Sequence, residues 1–256
     1  MSQVSKPMSF RVATLNVERN EKRWTERREL IVQQLADVRP DILALNEIWL
    51  PVETGQWLQE QAQTRLGLRY ELLEQPRAAK ASHPEAEGLL TRFTVIERSH
   101  RFFSARDTVT LVVRFEIEGR PLDVYVTHLY PWRHEESERV AQVKELLAWI
   151  TERNDVAYRI VCGDCNAPPE SESMKLMAEQ FRPTQSEPTA FTPLREIDGE
   201  PTHPDWQRFD RCIDFIWISD SLKTIGSGLC FNQPAKDVPT LWPSDHVGVW
   251  ADLEIS

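Results

Sequence analysis

Short apolar runs recur along this chain, and one after another ends in a residue that can bind a metal or move a proton. Asn16 follows Val12-Ala-Thr-Leu15, and Glu47 follows the almost wholly apolar run that starts at Ile42. His128 closes Val124-Tyr-Val-Thr127, while Asp164 and Asn166 follow Ile160-Val-Cys-Gly163. Asp214 lies within Cys212-Ile-Asp-Phe-Ile-Trp217, and Asp245 and His246 stand immediately before Val247-Gly-Val-Trp-Ala251. β-branched and aliphatic runs of this length read as strands covered on both faces. A carboxylate facing such a core is costly unless it is paired.

Between the runs, the periodicity predicts helices over 22–38, 54–66 and 137–153; in the last, Val140, Val143, Leu147 and Ile150 share one face. Strands are expected over 10–17, 41–46, 89–96, 108–117, 122–129, 158–162, 213–218 and 247–255. Strands mixed with outer helices predict an α/β or α+β layered sandwich. Residues 1–9 read as an N-terminal tail and 10–256 as a single domain, because each Pro-bearing stretch is followed by another strand pattern. The first nine residues hold one Lys and no apolar core, so no secretory leader is expected.

Hydrophobic residues at 41% and charged residues at 27% place the chain among globular proteins and exclude a disordered or fibrous one. No run is long enough to span a bilayer. Forty acidic against thirty basic residues give a net charge of −10, which disfavours a broad polyanion-binding surface. A metal ion or a local basic rim can reverse the field at a site, so nucleic acid stays open but disfavoured. Cys162 and Cys165 have C-x-x-C spacing, yet Cys212 and Cys230 supply no second half-site. Four buried free thiols in a reducing, cytoplasmic setting are expected instead.

Taken singly, a strand-terminal Asp or Asn is a turn former and a lone His a satisfied structural residue. Three carboxylates, two amides and two histidines at strand ends can instead converge on one edge of a sandwich. Hard oxygen donors of this kind suit Mg²⁺ or Mn²⁺ rather than Zn²⁺.

The ordered set Thr14-Leu-Asn16, Asn46-Glu47, Gly88-Leu-Leu-Thr-Arg92, Thr127-His-Leu129, Gly163-Asp-Cys-Asn166, Arg211-Cys-Ile-Asp-Phe215 and Ser244-Asp-His246 resembles the DNase I-like endonuclease/exonuclease/phosphatase superfamily. The resemblance runs from residue 14 to residue 246. It implies a four-layer sandwich, with two face-to-face mixed β-sheets flanked by helices, and a divalent-metal-dependent phosphoesterase. By the same resemblance Glu47 is the principal metal ligand, with Asn16 and Asp245 completing the site. Asp164 orients or deprotonates the attacking water, Asn166 holds the phosphoryl group, and His246 contacts it with Asp214 fixing the ring tautomer. His128 is the second histidine, which the exonuclease III-type branch lacks. A glutamate ahead of Gly88 is expected to orient His128; Glu85 is preferred over Glu87, two residues on and facing the same way.

At the rim, Arg19, Trp132, Arg133 and Trp242 are candidate substrate-binding residues, the tryptophans as stacking surfaces and the arginines as phosphate contacts. Arg27 and Arg28 read as a solvated helix face. Arg139, a cation in the first turn of a helix, calls for a carboxylate partner. The favoured substrate is a small phosphate ester or nucleotide, mono- or diester, cleaved by in-line attack of water. A DNase- or RNase-like nuclease and a non-catalytic binding module of the same fold are the alternatives.

Overall fold

The computed structural model describes residues 8–19, 21–77, 84–104, 108–132, 134–185, 196–197, 200–201 and 211–255. Its elements in chain order are β1 (Met8–Asn16), α1 (Trp24–Val38), β2 (Ile42–Trp49), α2 (Thr54–Leu66), β3 (Glu71–Pro76), β4 (Glu85–Thr91), β5 (Val95–Phe102), β6 (Val109–Ile117) and β7 (Arg120–His128). They continue with α3 (Glu136–Glu152), β8 (Tyr158–Asp164), α4 (Glu172–Met177), β9 (Arg182–Pro183), the two-residue pair β10 (Glu196–Ile197) and β11 (Glu200–Pro201), β12 (Asp214–Ile218), β13 (Leu222–Cys230) and β14 (Gly248–Ile255).

Two six-stranded mixed sheets result, ordered β13-β14-β1-β2-β4-β3 and β5-β6-β7-β8-β12-β9. They stack through an apolar layer that includes Val12, Ile42, Val113, Val124, Ile160 and Val249. On the outer face of the first sheet Leu15 and Leu45 pack with Ile31 and Leu35 of α1 and Leu58 of α2. On the outer face of the second, Tyr125 and Val161 meet Val143 and Ile150 of α3 and Met174 of α4. The expected order of helix, sheet, sheet and helix is therefore the observed one.

The period-2 alternation of strands explains where the polar residues go. Every second residue of a strand enters the layer between the sheets, and these inward rows are mostly apolar until their last position. Val12 and Thr14 lead to Asn16, Ile42 and Ala44 to Asn46, Val124 and Val126 to His128, Ile160 and Cys162 to Asp164. Strands β4 and β12 run antiparallel to β2 and β8, so their inward rows begin rather than end with the polar residue, Glu85 and Glu87 in one and Asp214 in the other. All these positions gather at one edge of the apolar layer.

Several sequence expectations change. The run 89–96 is two strands: β4 ends at Thr91 and β5 starts at Val95 in the opposite sheet. Thr91 Oγ1 accepts from the Phe93 amide at 3.0 Å, which turns the chain across. Strands β3 and β13 and the short helix α4 were not expected. Both strands are at or near sheet edges and half exposed, with Gly226 and Gly228 interrupting the pattern of β13. Cys162 enters the inter-sheet core while Cys165 lies on the α3 side, so the C-x-x-C pair points to opposite faces, and all four cysteines are free and buried.

Candidate active site

Strand geometry at three positions aims the functional groups. Between Leu45 and Ile48 the β2–β4 register slips by a bulge, and Glu47 within it has φ 60°. A bulge re-aims a side chain; here Asn46 keeps its inward direction and Glu47 swings toward the edge. Gly163 sits at φ 130°, where an added Cβ would lie 2.1 Å from the Thr127 carbonyl oxygen, so glycine alone lets β8 approach β7 here. Asn166, at φ 50°, turns the chain back beneath Asp164.

Asp164 is the meeting point. Its Oδ2 lies 3.6 Å from His128 Nε2 and 3.7 Å from His246 Nε2. Asn16 Nδ2 donates to the same oxygen at 3.3 Å and to Glu47 Oε1 at 3.2 Å. Asp164 Oδ1 accepts the Asn166 amide at 2.8 Å. Behind His246, its Nδ1 faces Asp214 Oδ2 at 2.8 Å. Ser244 Oγ donates to the Asn16 carbonyl at 2.6 Å and accepts the His246 amide at 3.1 Å, locking the β13–β14 loop onto β1. The structure thus brings Asn16, Glu47, His128, Asp164, Asn166, Asp214 and His246 into one cluster, with Asp245 beside His246.

The electrostatics follow from this crowding. Burial pushes the Glu47 carboxyl up, but His128, Arg19 and the bonds from Arg19 N and Asn16 outweigh it and hold the group at about 2. For Asp164, burial and the neighbouring Asp214 win over both histidines, so its carboxyl is raised. Asp245 is raised likewise, by burial and by Glu47 against the pull of His246. Burial opposes a charge on His246, yet Asp214 and Asp164 raise it well above its ordinary value. One oxygen each from Asp164 and Asp214 and a nitrogen of His246 all lie within 4.8 Å of one another.

The donor set fits a hard divalent cation, because several carboxylates are packed at one edge with oxygens facing each other. Asn16, expected from the sequence to help hold a metal, stands at that edge between Glu47 and Asp164. Its carbonyl Oδ1 accepts the Glu18 amide at 3.0 Å, so its N–H₂ group faces the carboxylates and spaces them.

Glu85 is the residue expected to orient His128, with Glu87 as the alternative. The carboxylate on His128 is Glu87, whose Oε1 lies 3.3 Å from Nδ1. Glu85 instead takes Arg19 Nη1 at 2.9 Å and Arg77 Nη1 at 2.7 Å. Both glutamates do face inward; Glu87, two residues further along β4, is the one at the depth of His128. Burial pushes the Glu87 carboxyl up, but His128 and Arg77 lower it more.

Three residues escaped the sequence reading. Asn46 ties the sheets together: Nδ2 donates to Glu87 Oε2 at 2.5 Å and to the Thr127 carbonyl at 3.0 Å, while Oδ1 accepts the Asp164 amide at 2.9 Å. Arg77 reaches Glu87 Oε1 at 3.1 Å and His128 Nδ1 at 2.6 Å. Arg27, expected on a solvated face, is fully buried. Its guanidinium donates to the carbonyls of Val17, Lys22 and Pro243, which joins the loop after Asn16 to the loop carrying Asp245 and His246. Asn46 was legible as the inward residue before Glu47; nothing local marked Arg77 or Arg27.

At the rim, Arg19 is bound to Glu85 and its amide donates to Glu47 Oε2 at 3.0 Å. Trp132 is 64% exposed, and Trp242 is half-buried two residues before Ser244. Arg133 lies outside the described residues. Arg139 has its expected carboxylate, Glu136, at 2.9 Å.

Two facing sheets with a carboxylate–histidine cluster at one edge define the DNase I-like fold. The chain belongs to the Endonuclease/Exonuclease/phosphatase family, whose model matches residues 13–246. It is similar to Nocturnin of Xenopus laevis, 28% identical over 262 residues and covering 91% of this chain. The chain spans 66% of that protein's length and 59% of the human Nocturnin's. Among solved structures, an endonuclease/exonuclease/phosphatase family protein from Bacteroides thetaiotaomicron superposes with a TM-score of 0.80 at 16% identity, covering 98% of this chain and 99% of that one. D. rerio TDP2 complexed with a single strand DNA product gives 0.75 at 17% identity, covering 96% and 98%. No helix among the described residues is long and apolar enough to cross a membrane.

Proposed function

We propose that this protein hydrolyses a phosphate ester of a nucleotide or small organic molecule by in-line attack of water, with Mg²⁺ or Mn²⁺ held by Glu47 and its neighbouring carboxylates. The observation that carries this reading is the alignment of Asp214, His246 and Asp164, with Asp164 Oδ2 3.3 Å from the Asn16 amide that also touches Glu47. Bound there, the cation supplies neutralisation of charge on the phosphoryl and leaving oxygens.

The remaining work falls to side chains. Asp164, raised by burial and by Asp214, is placed to take the proton of the attacking water. His246, kept protonated by Asp214, donates from Nε2 to a phosphoryl oxygen. His128 offers a second donor to the same region, its Nε2 3.6 Å from Asp164 Oδ2 and its Nδ1 beside Glu87 and Arg77. Asn166 spends one amide N–H on the Leu129 carbonyl at 3.0 Å and has the other for the phosphoryl group.

Both sheets contribute to the site, which supports residues 10–256 acting as one catalytic domain. Four buried free thiols support a reducing, cytoplasmic setting. The DNA-bound relative favours a second reading, a nuclease. Bis-p-nitrophenyl phosphate, p-nitrophenyl phosphate, a nucleotide panel and supercoiled plasmid, assayed in parallel with Mg²⁺ or Mn²⁺, separate the two. Turnover that survives EDTA defeats the metal-assisted mechanism, and preference for plasmid promotes the nuclease.

A further inference from the structure

Of the large apolar side chains that stay exposed among the described residues, Ile96, Phe102 and Ile225 lie on the edge strands β5 and β13, Val238 lies in the β13–β14 loop seven residues before Asp245, and Trp132, the most exposed, stands four residues beyond His128. Four extended residues span at most about 14 Å, so the backbone of Trp132 lies within that distance of His128. Its indole meets no ring or cation among the described residues.

The backbone that presents it is held from both ends. The loop leaves the site at Leu129, whose amide donates to the Asp164 carbonyl at 2.9 Å and whose carbonyl accepts Asn166 Nδ2. Tyr130 N donates to Gln142 Oε1 at 2.9 Å. Arg139, 2% exposed in the first turn of α3, reaches back to the carbonyls of Tyr130 at 3.0 Å and Trp132 at 2.8 Å. The Glu135 amide takes the Trp132 carbonyl as well, at 3.1 Å. Glu136 braces Arg139 and also accepts the Ser173 amide at 2.8 Å, anchoring the assembly to α4.

A buried arginine on two carbonyls fixes a loop whose large aromatic side chain is left in water. Burying that ring in the core would have been favourable by the ordinary hydrophobic measure. A solvent-facing indole on a fixed backbone within that reach of His128 is suited to a flat aromatic group on the ester. We propose that Trp132, held by Arg139, is the stacking platform for the nucleobase of the substrate, so that the ester is nucleoside-bearing. This rests on the phosphoesterase reading and narrows it.

Calorimetric binding to the full chain tests it without turnover. The probes are thymidine 5′-monophosphate, a 5′-phosphorylated five-residue oligothymidylate and glycerol 3-phosphate. Wild type should bind a thymidine probe more tightly than glycerol phosphate, by about 5- to 150-fold if one base stacks. The strand against the mononucleotide tells whether the base comes from nucleic acid or from a free nucleotide. W132A should erase most of that preference and W132F should keep most of it; Trp132 is exposed, so neither change should disturb the core. Equal affinities in wild type, or a preference intact in W132A, would overturn the proposal. A Trp132-dependent preference in a chain that hydrolysed no phosphate ester would leave the platform standing and remove the phosphoesterase reading. Hydrolysis with no such preference would do the reverse.

Discussion

His246 Nδ1 lies 2.8 Å from Asp214 Oδ2, and this contact joins a loop of one sheet to the first residue of a strand in the other. Asp214 opposes Asp164 across the β8–β12 ladder, so one strand pairing sets the spacing of both carboxylates around the imidazole. Asp214→Asn should lower kcat by about 10²-fold or more, the usual scale for an acid–base or electrostatic group. The pH dependence has a definite sign. A histidine raised on folding stabilises fully below its unfolded value near 6.5, and the contribution is lost as pH rises through the folded value. Urea unfolding in EDTA should therefore show wild type well above Asp214→Asn at about pH 6, with the gap closing in alkali. A gap that widens with pH contradicts the assignment.

Glu85 and Glu87 offer a comparison within one strand. Glu87→Gln removes the carboxylate on His128 Nδ1 and should cut kcat by roughly 10-fold or more, with little change in KM. Glu85→Gln should act through Arg19 and Arg77 instead, leaving the His128 ring in place. ¹⁵N spectra of the His128 ring, shifted by the first change and not by the second, check the distinction.

Arg27 is a buried cation that donates to the backbone carbonyls of Lys22, Val17 and Pro243, with Glu18 Oε2 at 3.3 Å. Arg27→Met leaves those carbonyls and that carboxylate without their donor and should cost about 3–5 kcal/mol. Denaturant unfolding measures it; a loss below ~1 kcal/mol would mean that the loops are held by other contacts.

Gly163→Ala places a methyl group 2.1 Å from the Thr127 carbonyl oxygen at a φ of 130°. The β7 and β8 strand ends must part, carrying His128 and Asp164 with them. A destabilisation of at least ~2 kcal/mol is expected together with loss of activity. Full activity at wild-type stability would show that the strands yield easily there.

Much of the site was written in local order. The strand runs at Val12, Ile42, Val124 and Ile160, each closing in a polar residue, were readable because side chains alternate along a strand whatever lies opposite. Glu85 and Glu87 could be narrowed to the same face but not separated, since both share the inward direction and only the depth of His128 chooses between them. The run at 89–96 looked continuous because its residues suit a strand throughout; that it leaves one sheet for the other is settled by the Phe93–Thr91 turn and by what each half pairs with. Arg27 looked like one more charge on a helix, and its burial depends on carbonyls up to 216 residues away.

The chain by itself therefore determined which residues could act: the layered class, the inward rows, the residue types at their ends and the order of the motifs. Tertiary structure decided which of them touch. The bulge at Glu47, the tie of Asn46 across the sheets, the choice of Glu87 for His128 and the locking of two loops by Arg27 all join partners distant in sequence. Backbone alternation is a property of neighbours in the chain, whereas a hydrogen bond between sheets exists only once both have packed.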